Sequence, residues 1–271
     1  PIHATYRQVG RPVYWLTWVG LACLLFGFGF KFLGITLFLI TALVGLYNEA
    51  KSKGLGVPGS GLIAVALTSL FFFFSAFYWQ KSSGKIFVTM TEDFFALHVL
   101  VYLPAHHHSL SILEISELVM QLPSIIVILF MFSLFFSLLA EGRFMTWLNK
   151  PKINRESLKN FMVPDFVIWV FIGSLLAAFM QTEIKAVNVV GLNLLNIVLV
   201  TYFFQGLAVA SAYFSFLKMS SLWKIIFYVI LTTQLFLLVA LVGVTDFWAG
   251  FRERLAKKAT GIDKSSGPNK I

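Results

Sequence analysis

The chain has 271 residues, of which 58% are hydrophobic and only 12% charged, and its formal net charge is +9. A water-soluble domain of this length needs a far larger polar surface, so the composition excludes a chain solvated mainly by water. The positive charge lies in short connections between apolar runs, which is typical of the Lys and Arg excess that orients membrane proteins. This pattern argues against nucleic acid as a partner.

The apolar runs are long enough to cross a bilayer several times, because a helix needs roughly 20 apolar residues to span hydrocarbon about 30 Å thick. The predicted spans are about 14–30, 32–47, 62–79, 118–139, 164–180, 189–217 and 223–244. We therefore predict an all-α polytopic transmembrane helical bundle of about seven spans, with six or eight as alternatives. Residues 1–251 would form the membrane domain, and residues 252–271 a basic, disordered tail.

Two connections between the apolar runs are distinctive: the break within residues 14–47 and the long connection 80–117. Lys31 interrupts the apolar stretch 14–47, so we expect two short helices with a turn near Gly29. Residues 80–117 are acidic and contain four of the five histidines, and the piece 86–103 is predicted to be an interfacial or partly re-entrant helix. The adjacent histidines 106–108 are better explained as solvated interfacial side chains than as metal ligands, and we predict no metal site.

Lys and Arg counts orient the bundle. The basic segment 141–163 is placed in the cytoplasm, together with the N-terminus, the 48–61 loop and the 218–224 turn, whereas the acidic 80–117 connection falls outside. Seven spans would put the basic tail outside, against the rule. Either one span is miscounted, with a fold of the sixth helix at Gln205-Gly206 as one alternative, or the tail is an exception. We expect both ends in the cytoplasm.

Polar residues inside spans are candidates for function. The sixth span carries Asn193, Asn196 and Gln205, which either bond neighbouring helices or contact a ligand. Further along it, small residues recur at i, i+3, i+4 and i+7, a pattern that predicts close helix packing within the bundle or with a partner. This stripe consists of Ala208, Ser211, Ala212 and Ser215.

A predicted interface anchor follows the last span and consists of Asp246, Trp248 and Arg252. Asp246 and Arg252 could pair across a turn or two, and Trp248 suits the interfacial belt. Patterns of catalytic and phosphate-binding sites are missing from the chain, such as His-Glu-x-x-His, Gly-x-Ser-x-Gly and a phosphate loop. We therefore predict a protein that is not an enzyme and has no cofactor.

The C-terminal half of the chain carries several recognisable motifs: Pro164-Asp-Phe-Val-Ile-Trp169, Gly191-Leu-Asn193-Leu-Leu, Gln205-Gly206-Leu-Ala-Val, Gly243-Val-Thr-Asp246-Phe-Trp248 and Phe251-Arg252. In these motifs the chain resembles the YybS-like family of bacterial membrane proteins, and the resemblance covers roughly residues 118–258. It implies a fold similar to the S components of energy-coupling-factor vitamin transporters and to the cell-shape protein MreD. By that resemblance, Asn193 and Gln205 would lie near a binding cavity.

Two functions follow as hypotheses. The first is a non-enzymatic scaffold or assembly subunit of a bacterial envelope complex, multi-pass in the cytoplasmic (inner) membrane, with lipid and other membrane proteins as partners. The alternative is an S-component-like protein that binds or takes up a small molecule with an ATPase module. S components often dock through Ala-x-x-x-Ala on their first helix. That helix lacks the pattern here, although Ala208 and Ala212 have the spacing on the sixth span.

Overall fold

In the computed structural model, every regular element of the described residues is an α-helix. The structure describes residues 10–83, 117, 119–147, 161–180 and 184–259. Its helices are α1 (Arg11–Gly27), α2 (Lys31–Ser52), α3 (Val57–Ser83), α4 (Leu122–Trp147), α5 (Phe166–Phe179), α6 (Lys185–Phe216), α7 (Ser221–Thr233), α8 (Phe236–Ala249) and α9 (Phe251–Ala259). The predicted all-α polytopic bundle is confirmed. The predicted helix 86–103 and the histidines 106–108 lie outside the described residues.

The first three helices pack one on the next along the chain. Gly29 has a φ of +86°, which glycine adopts without strain, and it turns the chain between α1 and α2 as predicted. Tyr14 of α1 donates a 2.7 Å hydrogen bond to the Thr41 carbonyl of α2. Glu49, near the end of α2, accepts from the indole of Trp15 at 3.0 Å and pairs with Arg11 at 2.6 Å. These polar contacts hold α1 against α2.

Helix α6 is the central element of the C-terminal part, in contact with α4, α5, α8 and α9. Its 32 residues make a helix about 48 Å long, so it must tilt or protrude from hydrocarbon about 30 Å thick. It runs unbroken through Gln205 and Gly206, so the alternative of a fold there is wrong. Phe203 and Tyr202, both almost fully buried, place the middle of α6 in the two apolar cores.

Two glycines let α6 and α8 touch backbone to backbone. A Cβ on Gly206 would overlap the carbonyl oxygen of Val239, and a Cβ on Gly243 would overlap the carbonyl oxygen of Tyr202. Gly191 does the same toward α5, where a Cβ would lie 2.5 Å from the amide nitrogen of Ala178. Glycine mid-helix costs up to about 1 kcal/mol of helix propensity, and here the close approach of two helices requires it.

Among the described residues, fewer full spans are found than the seven predicted for the chain. Four described helices are long and apolar enough to cross a membrane: Leu33–Ser52, Val57–Tyr78, Leu122–Ala140 and Lys185–Phe216. The predicted first and fifth spans form helices of 17 and 14 residues, short of the roughly 20 that a span needs. The predicted seventh span is two helices, α7 and α8, bent by 97°, and it makes a fifth span only if the bent pair is counted as one.

Candidate functional site

A buried carboxylate lies at the centre of the most polar site among the described residues. Asp246, in the last turn of α8, has a side chain only 3% exposed. Its Oδ2 accepts from Arg252 Nη2 at 2.8 Å, from Arg252 Nε at 3.1 Å and from Gln205 Nε2 at 3.3 Å. Its Oδ1 accepts from the backbone N–H of Phe251 at 2.9 Å. Both carboxylate oxygens are therefore used, and the charge is balanced by one guanidinium.

The turn after α8 brings the arginine back onto the aspartate. Gly250 adopts the left-handed conformation at φ 55°, the usual residue and geometry for ending a helix. Its N–H bonds the Asp246 carbonyl at 2.9 Å, and α9 starts at the next residue. Arg252 lies six positions beyond Asp246, a separation that would not place the two on one face of a continuous helix. The reversal at Gly250 makes the ion pair.

The same network holds a non-helical segment that precedes α5. Gln205 Oε1 accepts from the backbone N–H of Val163 at 2.9 Å, and Arg252 Nη1 donates to the Phe161 carbonyl at 2.8 Å. Irregular backbone in an apolar environment needs such internal partners, because an unsatisfied polar group costs several kcal/mol in hydrocarbon. Gln205, Asp246 and Arg252 together join α6, α8, α9 and the 161–163 segment. We call these three residues the polar clamp.

The polar clamp also bears on topology. Because Arg252 contacts Phe161, the beginning of α9 and the end of the basic segment 141–163 lie at the same end of the bundle. Seven full crossings would have put these two segments on opposite sides, so the contact does not fit that count. Helices α7 and α8, which are bent by 97°, form either one broken span or a re-entrant pair.

A second polar cluster joins α6 to the start of α4. Asn193 accepts from the Ser124 backbone N–H at 2.9 Å and donates to the carbonyls of Met120 and Val189, both at 2.8 Å. Asn196 donates to Gln121 Oε1 at 3.0 Å. The Ser124 N–H belongs to the first turn of α4, where such groups lack a partner within the helix. Asn193 thus acts as a cap supplied by a neighbouring helix.

Two grooves in the described part of the structure are lined by residues other than the predicted ligand-binding amides. One groove of about 340 Å³ lies between α5 and α6 at Gly173 and Gly191. A second, of about 550 Å³, lies among α6, α7, α8 and α9. None of Asn193, Asn196 and Gln205 lines either groove. Their side chains bond neighbouring helices or nearby backbone groups.

The remaining predicted residues differ in how deeply they are buried. In the small-residue stripe, Ala208 is buried, Ser211 and Ala212 are half-buried and Ser215 is exposed. The closest helix contact of this region uses Gly206 instead. Trp248 is exposed and stacks edge-on against Phe247, at 5.3 Å between ring centroids, which fits a residue facing the lipid interface.

Within the described ranges, no three His, Cys, Asp or Glu side chains come close enough to hold a metal ion. The first part of the predicted tail is helical, because residues 251–259 form helix α9, which packs on α6 and supplies Arg252 to the polar clamp. The rest of the predicted tail, residues 260–271, lies outside the described residues.

These observations define an integral membrane protein of packed helices, held by close glycine contacts and buried polar bonds. Residues 2–247 match the family described as predicted membrane protein (DUF2232), so the chain belongs to that family. The chain matches no curated protein and no solved structure.

Proposed function

We propose that this membrane protein is a non-enzymatic scaffold or assembly subunit of a bacterial envelope complex in the cytoplasmic membrane. One observation carries the proposal: the intramembrane amides of Asn193, Asn196 and Gln205 all bond to neighbouring helices or to backbone, and they line neither described groove. Polar groups used in this way fix helix positions. They give a rigid bundle rather than a hydrogen-bonding pocket for a polar substrate.

The proposal also draws on the surface of α7. None of its residues is buried, and its apolar side chains include Leu222, Trp223 and Ile225, each more than half exposed. An exposed apolar helix inside a membrane contacts either lipid or another membrane protein. A scaffold needs such a surface, and the exposed apolar side chains of α7 provide one.

Affinity purification from bacterial membranes in a mild detergent tests the proposal, combined with photo-crosslinking. A photoreactive phenylalanine analogue at Ile225 samples the exposed face of α7, and the same analogue at Phe203, which is fully buried, serves as the matched control. We expect envelope proteins to co-purify and to crosslink through Ile225 but not through Phe203. Recovery of the protein alone, with no adduct at Ile225, would contradict a scaffold role.

The resemblance to the YybS-like family supports a second candidate, an S-component-like uptake protein. The groove of about 550 Å³ has the size of a ligand site. Against it, Ala208 of the Ala-x-x-x-Ala spacing is buried in the bundle, so that spacing is not open to a partner. A stoichiometric pair of ATPase subunits in the same purification would favour uptake and reject the scaffold.

A further inference from the structure

The groove of about 550 Å³ results from the arrangement of the last three helices beside α6. The 97° bend turns α7 away from α8, which opens a wedge beside α6. Helix α9 closes one side of the wedge, because Arg252 is bonded to Asp246 and the helix cannot swing away without breaking that pair. The groove is lined by residues of α6, α7, α8 and α9.

Most of the wall is apolar and aromatic. Tyr213 and Phe214 come from α6, Phe227 and Leu231 from α7, and Val239 from α8. The aromatic rings of Phe214 and Phe227 lie 5.7 Å apart between centroids. Such a surface gains free energy from burying hydrocarbon and offers few hydrogen bonds to a polar molecule, so it selects for an acyl chain.

The α9 side of the groove is cationic. Four of its residues line the groove at i, i+3, i+4 and i+7, which places them on one helical face: Phe251, Arg254, Leu255 and Lys258. Arg254 and Lys258 are both exposed, and neither pairs with a carboxylate among the described residues. No acidic side chain of the described residues lines the groove, and the buried Asp246 is engaged by Arg252. Within the described part of the chain, the two cations thus have no counter-charge in the groove.

An apolar channel that ends at two unpaired cations matches an amphiphile with an acyl chain and a phosphate. We propose that this groove binds an anionic glycerophospholipid of the surrounding bilayer. Its chain would lie along Phe214, Phe227 and Leu231, and its phosphate would contact Arg254 and Lys258. Arg in particular offers the forked donors that suit phosphate, and a basic pocket between membrane helices is a recognised form of lipid headgroup site. The inference goes beyond the scaffold proposal and does not depend on it.

Native mass spectrometry of the purified full chain in lipid-free detergent tests the proposal. The probes are dioleoyl phosphatidylglycerol and dioleoyl phosphatidylcholine, which share their chains and differ in net headgroup charge. The test variant carries R254Q and K258Q. The control variant carries K218Q and K224Q, which remove the same charge from positions outside the groove. Since each cation near an anionic headgroup contributes about one kcal/mol, the test variant should lose roughly thirtyfold in phosphatidylglycerol affinity.

We expect wild type and control to bind phosphatidylglycerol alike and to prefer it over phosphatidylcholine. A third variant, L231W, fills the apolar part and keeps both cations, and it should lose phosphatidylglycerol as well. Equal binding of the two lipids, or equal losses in the test and control variants, would overturn the proposal. Full displacement of the lipid by soluble glycerophosphate would also overturn it, because the acyl chain would then contribute nothing. Unchanged unfolding midpoints without lipid establish that each variant is folded.

Discussion

Removal of Arg252 gives the sharpest test of the polar clamp. The Arg252→Ala variant deletes three donors at once, two to Asp246 and one to the Phe161 carbonyl. It leaves a carboxylate that is 3% exposed with only Gln205 and one backbone N–H as partners. Breaking a buried ion pair by removing one partner costs roughly 3–5 kcal/mol, most of it the penalty of the uncompensated charge. We expect a loss of that size in the free energy of unfolding.

The assay is SDS-induced unfolding in lipid-free mixed micelles, followed by tryptophan fluorescence. Arg254→Ala is the matched control, because it removes one arginine from the exposed side of the same helix and should change stability by less than about 0.5 kcal/mol. The double variant that also replaces Asp246 by Ala should be more stable than Arg252→Ala alone, since no buried charge is left unpaired. Equal unfolding midpoints for the two single arginine variants would refute the reasoning.

Three further predictions concern a glycine contact, a polar cap and an ion pair. Gly243→Ala puts a methyl group into the α8–α6 contact and should destabilise by at least 1–3 kcal/mol, whereas Gly20→Ala, with open space around it, should be neutral or slightly stabilising in the same unfolding assay. Asn193→Ala leaves a buried N–H and carbonyl of the α4 end unpaired and should cost about 1–3 kcal/mol. Asn196→Ala, half-buried with one amide bond, should cost less. Glu49→Gln should change stability by no more than about 1 kcal/mol, because the arginine in its ion pair is 68% exposed; a loss above 2 kcal/mol would contradict this.

The helical bundle could be predicted because uncharged apolar runs of this length are stable only when hydrocarbon surrounds them. The number of crossings could not, since the length of an apolar run does not show where its backbone bends. The bend between α7 and α8 lacks Gly and Pro. It follows Thr232 and Thr233, whose hydroxyls bond the carbonyls four residues back, at 2.7 and 2.8 Å. Such back-bonding often bends helices, and it was the one local signal available.

The polar clamp was predictable only in part. Asp246 and Arg252 are close in sequence, so their pairing could be expected from the charges. Gln205 joins them because two glycines bring α6 and α8 into backbone contact, which is a property of the tertiary structure. Gly206 and Gly243 carried a usable signal, since glycine in the middle of an apolar helix lowers helix propensity and allows a second helix to approach closely. Glu49 gave no such signal, because its bond to Trp15 joins residues 34 positions apart.

The contact between Phe161 and Arg252 joins positions separated by 91 residues. Helix α9 follows every other described helix in the chain, so this closure can form only after α5, α6 and α8 have been synthesised and inserted. Until then, Asp246 remains a carboxylate without its counter-ion in an apolar setting. The polar clamp is therefore completed late in synthesis, and a chain that stops before residue 252 lacks the guanidinium that balances the Asp246 carboxylate.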